Sequence, residues 1–170
     1  MIEERIVVSD SNIFFDLISV DLLNDFFLLP CEITTTDFVI SEIIRPEQSY
    51  KLQSFIDSKK LDVINFVNDE INKIFSIFQS NDNNASVTDC SVWYYAKKVN
   101  GRLLTGDNKL RKSAAADNVK VSGILYVFDN FVEYGILEKE LCAKKLKELM
   151  QKNNRLPKGE CEKRIAEWRG

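Results

Sequence analysis

Short β-branched runs recur along this chain, each followed by a stretch with long apolar residues at helical spacing, and this alternation limits the fold more than any other feature. Arg5 to Ser9 (RIVVS) has the pattern of a buried strand that ends in a turn at Asp10. From Asn12 onward, NIFFDLISVDLLNDFF reads as one or two helices. EITTTDFVISEII passes from strand to helix near Thr36, and Pro46 limits that helix because the residue before a proline is driven out of the α region. LDVINF (61–66) is a third strand; after it Ile71, Ile74, Phe75 and Phe78 form the stripe of an amphipathic helix. RLLTGD (102–107) and VKVSGI (119–124) are two more strands, separated by the helical NKLRKSAAADN.

Between these segments, SNDNN (80–84) is the clearest loop, and Ser86 with Asp89 has the S-x-x-D spacing of a capping box that opens the helix VWYYAKK. Gly101 is expected to end that helix. Strands alternating with helices predict an α/β fold whose central, mainly parallel sheet is covered on both faces. From Ile124 the pattern is helical to the end, with breaks near Gly135 and at Leu156-Pro157. Residues 1–135 are therefore read as the α/β domain and 136–170 as a helical extension of the same unit. A length of 170 residues and 45% hydrophobic content suit one core, and no internal repeat is present. Cys142, Leu146, Leu149 and Met150 give the extension an apolar face that can pack on the body, on a second copy or on a partner helix, with packing on the body the default.

Histidine is absent, which removes Ser-His-Asp and Cys-His catalysis, a histidine general base and histidine zinc sites. Any chemistry must run on carboxylates, lysines, hydroxyls or thiols. The four cysteines (Cys31, Cys90, Cys142, Cys161) form no C-x-x-C pair and are read as thiols, mostly buried, of a reducing cytoplasm. The opening MIEERIVVSDSN has the wrong charge and length for a secretory signal, and no stretch approaches the roughly 20 apolar residues of a spanning helix.

The net charge of −3 conceals a strong asymmetry. Residues 1–93 carry 6 basic and 16 acidic side chains, a balance of −10; residues 94–170 carry 17 and 10, a balance of +7. The densest basic run, Lys97, Lys98, Arg102, Lys109, Arg111 and Lys112, adjoins Trp93, Tyr94 and Tyr95. It is either a phosphate-attracting patch or a set of solvated helix ends.

In an open parallel sheet, ligands gather at the carboxyl ends of the strands. Asp10 and Asp107 directly follow strands there, Asp89 lies in a helix's first turn, and Glu42 lies on the helix after the second strand. Four carboxylates in one crevice would raise one another's pKa unless a cation intervened, and an all-oxygen set selects Mg2+ or Mn2+. Each aspartate has a plainer role available as a helix cap. Glu42 is harder to explain away, because it sits among Val39, Ile40, Ile43 and Ile44 in an otherwise apolar stretch, where an unpaired carboxylate is costly.

The order and context of these acids resemble the PIN-domain nucleases, above all the toxin ribonucleases of type II toxin-antitoxin pairs and their relatives. V-V-S-D-S-N resembles the family's first strand and its acidic ending; T-T-D-F-V-I-S-E-I-I resembles the helix bearing its glutamate; S-V-T-D-C-S and L-L-T-G-D-N-K-L-R resemble the segments bearing its third and fourth acids. The resemblance spans roughly residues 5–135, and L-P-K-G-E-C-E-K-R-I in the tail is similar to extensions of some PIN-like relatives. It implies a three-layer α/β/α fold and a metal-dependent endoribonuclease with Asp10, Glu42, Asp89 and Asp107 as catalytic and metal residues. It also implies an RNA substrate and an antitoxin partner, while a homodimer is one of the options that the apolar face of the tail leaves open. Asn12 and Thr105 are candidates to orient water or phosphate, and Lys109, Arg111 and Lys112 to attract the RNA backbone. A phosphoryl-accepting receiver domain is disfavoured, because LDVINF ends without an accepting aspartate. A non-catalytic PIN-like module that binds RNA or protein is the remaining alternative.

Overall fold

The computed structural model describes residues 4–80 and 85–170. In chain order the elements are β1 (Glu4–Val8), α1 (Ser11–Ser19), α2 (Leu23–Phe26), β2 (Cys31–Thr36), α3 (Asp37–Ser41), α4 (Pro46–Asp57), β3 (Leu61–Ile64) and α5 (Asn68–Ser80). They continue with α6 (Val87–Val99), β4 (Arg102–Leu104), α7 (Asn108–Ala116), β5 (Lys120–Ser122), α8 (Ile124–Glu133), α9 (Lys139–Lys152) and α10 (Lys158–Arg169). Of the loop expected at 80–84, Ser80 closes α5 and the other four residues lie outside the described ones, as do the first three of the chain. Two compact units arise: residues 1–13 with 30–123, and residues 14–29 with 124–170.

The first unit holds the sheet, whose strand order is β3-β2-β1-β4-β5 with every pairing parallel. The fold is the expected α/β/α type, a parallel sheet with flanking helices. β1 lies at the centre, with Ile6 in register with Ile33 on one side and Arg102 on the other. Val7, Val8, Leu103 and Leu104 are wholly buried, which is why these strands read as unbroken apolar runs rather than alternating ones.

Two local features depart from the sequence reading. α3 ends at Ser41, well before Pro46, which instead opens α4 at its first turn, where a missing N–H costs nothing. Asn100, not Gly101, takes the left-handed cap of α6, at φ 52°. Gly101 is glycine for another reason: a Cβ there would stand 3.0 Å from the carbonyl oxygen of Arg5 on β1.

The second unit is helical, as the pattern from Ile124 predicts. Phe128 and Phe131 meet edge to face at 5.9 Å, and Arg164 grips Asp129 through two bonds of 2.7 and 2.9 Å. Lys145 donates to the carbonyl of Val20 at 2.8 Å near the C-terminal end of α1, where a cation also complements the helix dipole. Cys142, Leu146 and Leu149 are fully buried and Met150 partly so. All four cysteines are free thiols, and burial pushes that of Cys142 up to about 12. Among the described residues no helix is long and apolar enough to cross a membrane.

Candidate functional site

From β1 the chain builds outward through β2 to β3, then returns to the opposite side of β1 as β4. The crevice beyond the carboxyl ends of β1 and β4 is thus the sheet's switch point, the place where open α/β sheets bind ligands. The strand ladder extends into it: Ser9 N donates to Leu104 O, and Thr105 N to Ser122 O, both at 2.9 Å. Asp10 and Asp107 follow directly.

Asp10 is partly buried at the entry to α1. Its Oδ1 accepts from Ile13 N at 3.2 Å, and the amides of Asn12 and Gly106 also point to the carboxylate. Burial nevertheless holds its pKa above the ordinary aspartate value. The hydroxyl of Thr105, itself fully buried, donates to Asp10 Oδ2 at 3.4 Å and accepts from the amide of Asp107 at 3.1 Å. Asp107 caps α7, with Oδ1 accepting from Lys109 N at 2.8 Å and Leu110 N at 3.4 Å.

Asp89 completes the capping box of α6: Ser86 Oγ accepts from Asp89 N at 3.0 Å, and Asp89 Oδ2 accepts from Ser86 N at 3.1 Å. Its pKa is raised, first by burial and then by repulsion from Asp107 and Asp10. That repulsion reports three carboxylates sharing one field. Each is also a helix cap, so the plain role and the electrostatic clustering coexist.

Glu42 follows the last residue of the five-residue α3 and is exposed, so the expected burial penalty does not apply. The short helix turns the chain outward: Ile43 is buried, whereas Ile44 is 84% exposed. Glu42 is tied instead to the start of α6, its Oε1 accepting from Thr88 Oγ1 at 2.8 Å, one residue before Asp89. Thr88, Ser91 and Thr36 escape sequence reasoning. Thr36 Oγ1 and Ser91 Oγ lie 2.9 Å apart in full burial, and Ser91 Oγ donates to Thr88 O at 2.6 Å, a polar chain from β2 to the first turns of α6. Only their proximity to assigned acids could have flagged them. Ser9 Oγ, next to Asp10, is buried without a hydrogen-bond partner among the described residues.

Asn12 is exposed in the first turn of α1, and its backbone amide is what faces Asp10. The basic run divides in two. Lys97, Lys98 and Arg102 are bound in ion pairs to Asp117, Glu70 and Glu4. Lys109, Arg111 and Lys112 on α7 make no ion pair among the described residues. No three carboxylates or thiols among those residues are gathered closely enough to form a ready cage for one ion. The donor set at the crevice is nonetheless all oxygen, with hard-cation chemistry.

Eleven chains of solved structures match the protein. One is the crystal structure of FitAcB from Neisseria gonorrhoeae, 12% identical, with the alignment covering 71% of this chain and 99% of that one at a TM-score of 0.46. No curated protein matches by sequence. A family model does: residues 6–169 match DUF3368, a PIN domain. The match runs from β1 through α10, and the chain therefore belongs to the PIN-domain family.

Proposed function

We propose that the protein is a divalent-metal-dependent endoribonuclease whose catalytic and metal-binding residues are Asp10, Glu42, Asp89 and Asp107, with Mg2+ or Mn2+ as the ion. The observation that carries this reading is the Thr105 hydroxyl bonding both the Asp10 carboxylate and the Asp107 amide at the switch point of the sheet, with Asp89 near enough to be repelled by both acids. Carboxylates that repel one another favour a cation between them. A bound divalent ion supplies a water of lowered pKa and offsets charge at the scissile phosphate. The chain's own part is to orient the donors. Thr105 sets Asp10, Thr88 sets Glu42, the cap hydrogen bonds fix Asp89 and Asp107, and Lys109, Arg111 and Lys112 draw in the RNA backbone. Asn12, exposed beside Asp10, is assigned to the same strand of RNA. A toxin role and an antitoxin partner join the proposal from the sequence resemblance alone, a homodimer from the apolar residues of the tail, and mostly buried thiols outside any disulfide support a reducing cytoplasm.

A non-catalytic RNA- or protein-binding module is the second reading, favoured by the fact that all three aspartates already serve as caps. Incubation with labelled single-stranded and structured RNAs in Mg2+, Mn2+ or EDTA, beside Asp10→Asn, decides between the two. Metal-dependent cleavage lost in the variant supports the nuclease; metal binding without cleavage of any substrate supports the module.

A further inference from the structure

The three cations of α7 have different surroundings. Lys109 and Lys112 are exposed, whereas Arg111 is partly buried, and among the described residues its guanidinium has neither an ion pair nor a hydrogen-bond acceptor. A half-exposed guanidinium with no acid against it keeps its donors free for an anion from solution. The nearest acid on its own helix, Asp107, makes no ion pair with it, its Oδ1 accepting instead from the amides of Lys109 and Leu110. Beside the guanidinium lies Gly123, directly after β5. A Cβ built there would stand 3.5 Å from Arg111 Nη1 and 3.6 Å from the carbonyl oxygen of Thr105. The missing side chain leaves that space open, and no left-handed backbone explains the glycine. Thr105 joins this spot to the acids: its hydroxyl bonds Asp10 and the Asp107 amide, while its carbonyl faces Gly123.

We propose that Arg111 and the open backbone at Gly123 form a phosphate subsite that seats the phosphodiester next to the one cleaved. The inference rests on the ribonuclease reading and makes Arg111 a positioning residue. A guanidinium suits the task because its planar fork takes two phosphate oxygens at once, and such a contact fixes the register of the strand without reading its bases.

The test is equilibrium binding of a short fluorescein-labelled single-stranded RNA in EDTA over a range of salt concentrations. Arg111→Ala is expected to weaken binding roughly tenfold, the worth of a hydrogen-bonded charge. It should also lower the salt slope by about 0.7, the contribution of one phosphate on a single strand. Arg111→Lys should recover the slope but not the affinity, because the fork is lost. Gly123→Ala changes no charge and makes only ordinary van der Waals contacts, so it should melt like the wild type yet bind RNA more weakly. Full binding by Gly123→Ala, or full rescue by Arg111→Lys, would overturn the subsite and leave Arg111 a diffuse attractive charge. If wild-type protein cleaves RNA and Arg111→Ala binds it with unchanged affinity and slope, the subsite falls and the ribonuclease reading stands. If wild-type protein neither binds nor cleaves RNA, both fall together.

Discussion

Thr105 and Asp10 are joined by a hydrogen bond between the ends of two adjacent strands, and the same threonine hydroxyl receives the amide of Asp107. One buried side chain therefore ties both carboxylates to the carboxyl edge of the sheet. Thr105→Val keeps the shape and removes the bonds. It should destabilise the protein by about 1–3 kcal/mol, since the Asp107 amide and Asp10 lose a partner. Chemical denaturation measures that loss, and RNA cleavage by the variant should fall further than its stability explains.

Asp10 and Asp89 both have pKa values raised in the folded state, by burial first. A carboxyl whose folded pKa exceeds its unfolded one contributes stability below the unfolded pKa, and that contribution is lost as pH rises through the folded value. At neutral pH both charges are thus a burden on the fold. Asp89→Asn, which can still accept from the Ser86 amide, should melt higher than wild type at pH 7 in EDTA, and the difference should shrink as pH falls through the aspartate range. Added Mg2+ should raise the melting temperature of the wild type and not that of the variant. A lower melting temperature for Asp89→Asn at pH 7 would show that the cap outweighs the repulsion.

Glu42 is exposed and held by one hydroxyl, so Glu42→Gln should leave stability within about 0.5 kcal/mol, as surface substitutions do. Its metal-dependent cleavage should nevertheless collapse. Thermal melts set beside cleavage assays separate the two effects, and full activity would remove Glu42 from the site.

Gly101→Ala places a methyl group 3.0 Å from the Arg5 carbonyl at the foot of the central strand. The backbone must shift, at a cost of about 1–3 kcal/mol by analogy with overpacked cores. Asn100→Gly should cost far less, because glycine adopts the left-handed cap freely. Denaturation midpoints rank the pair, and the reverse order would mean that the cap, not the close approach, governs this corner.

The strands were legible because each is a short β-branched run closed by a turn residue, and the capping box at Ser86 and Asp89 was legible from spacing alone. α4 was not, since PEQSYKLQSFID buries only Leu52 and so carries almost no apolar stripe. The surroundings of Glu42 were misjudged because Ile43 and Ile44 look alike in sequence but face opposite ways. The basic run resisted reading for a different reason. Lys98 and Arg102 are neutralised by Glu70 and Glu4, partners 28 and 98 residues away, and only the fold brings them together. What remains unpaired on α7 is a smaller and more localised charge than the run suggests.

The strand order has a consequence for how the molecule comes into being. β1 is made first, yet one of its two neighbours, β4, is among the last strands to be synthesised, with Ile6 waiting for Arg102. Closing so long a loop is slow. While the chain is still growing on the ribosome, Asp10 has no Thr105 to bond until β4 has emerged. The crevice is absent from every nascent chain that stops short of β4 and forms only when β4 docks, so whatever chemistry it performs is withheld until that strand and the turn after it have been made.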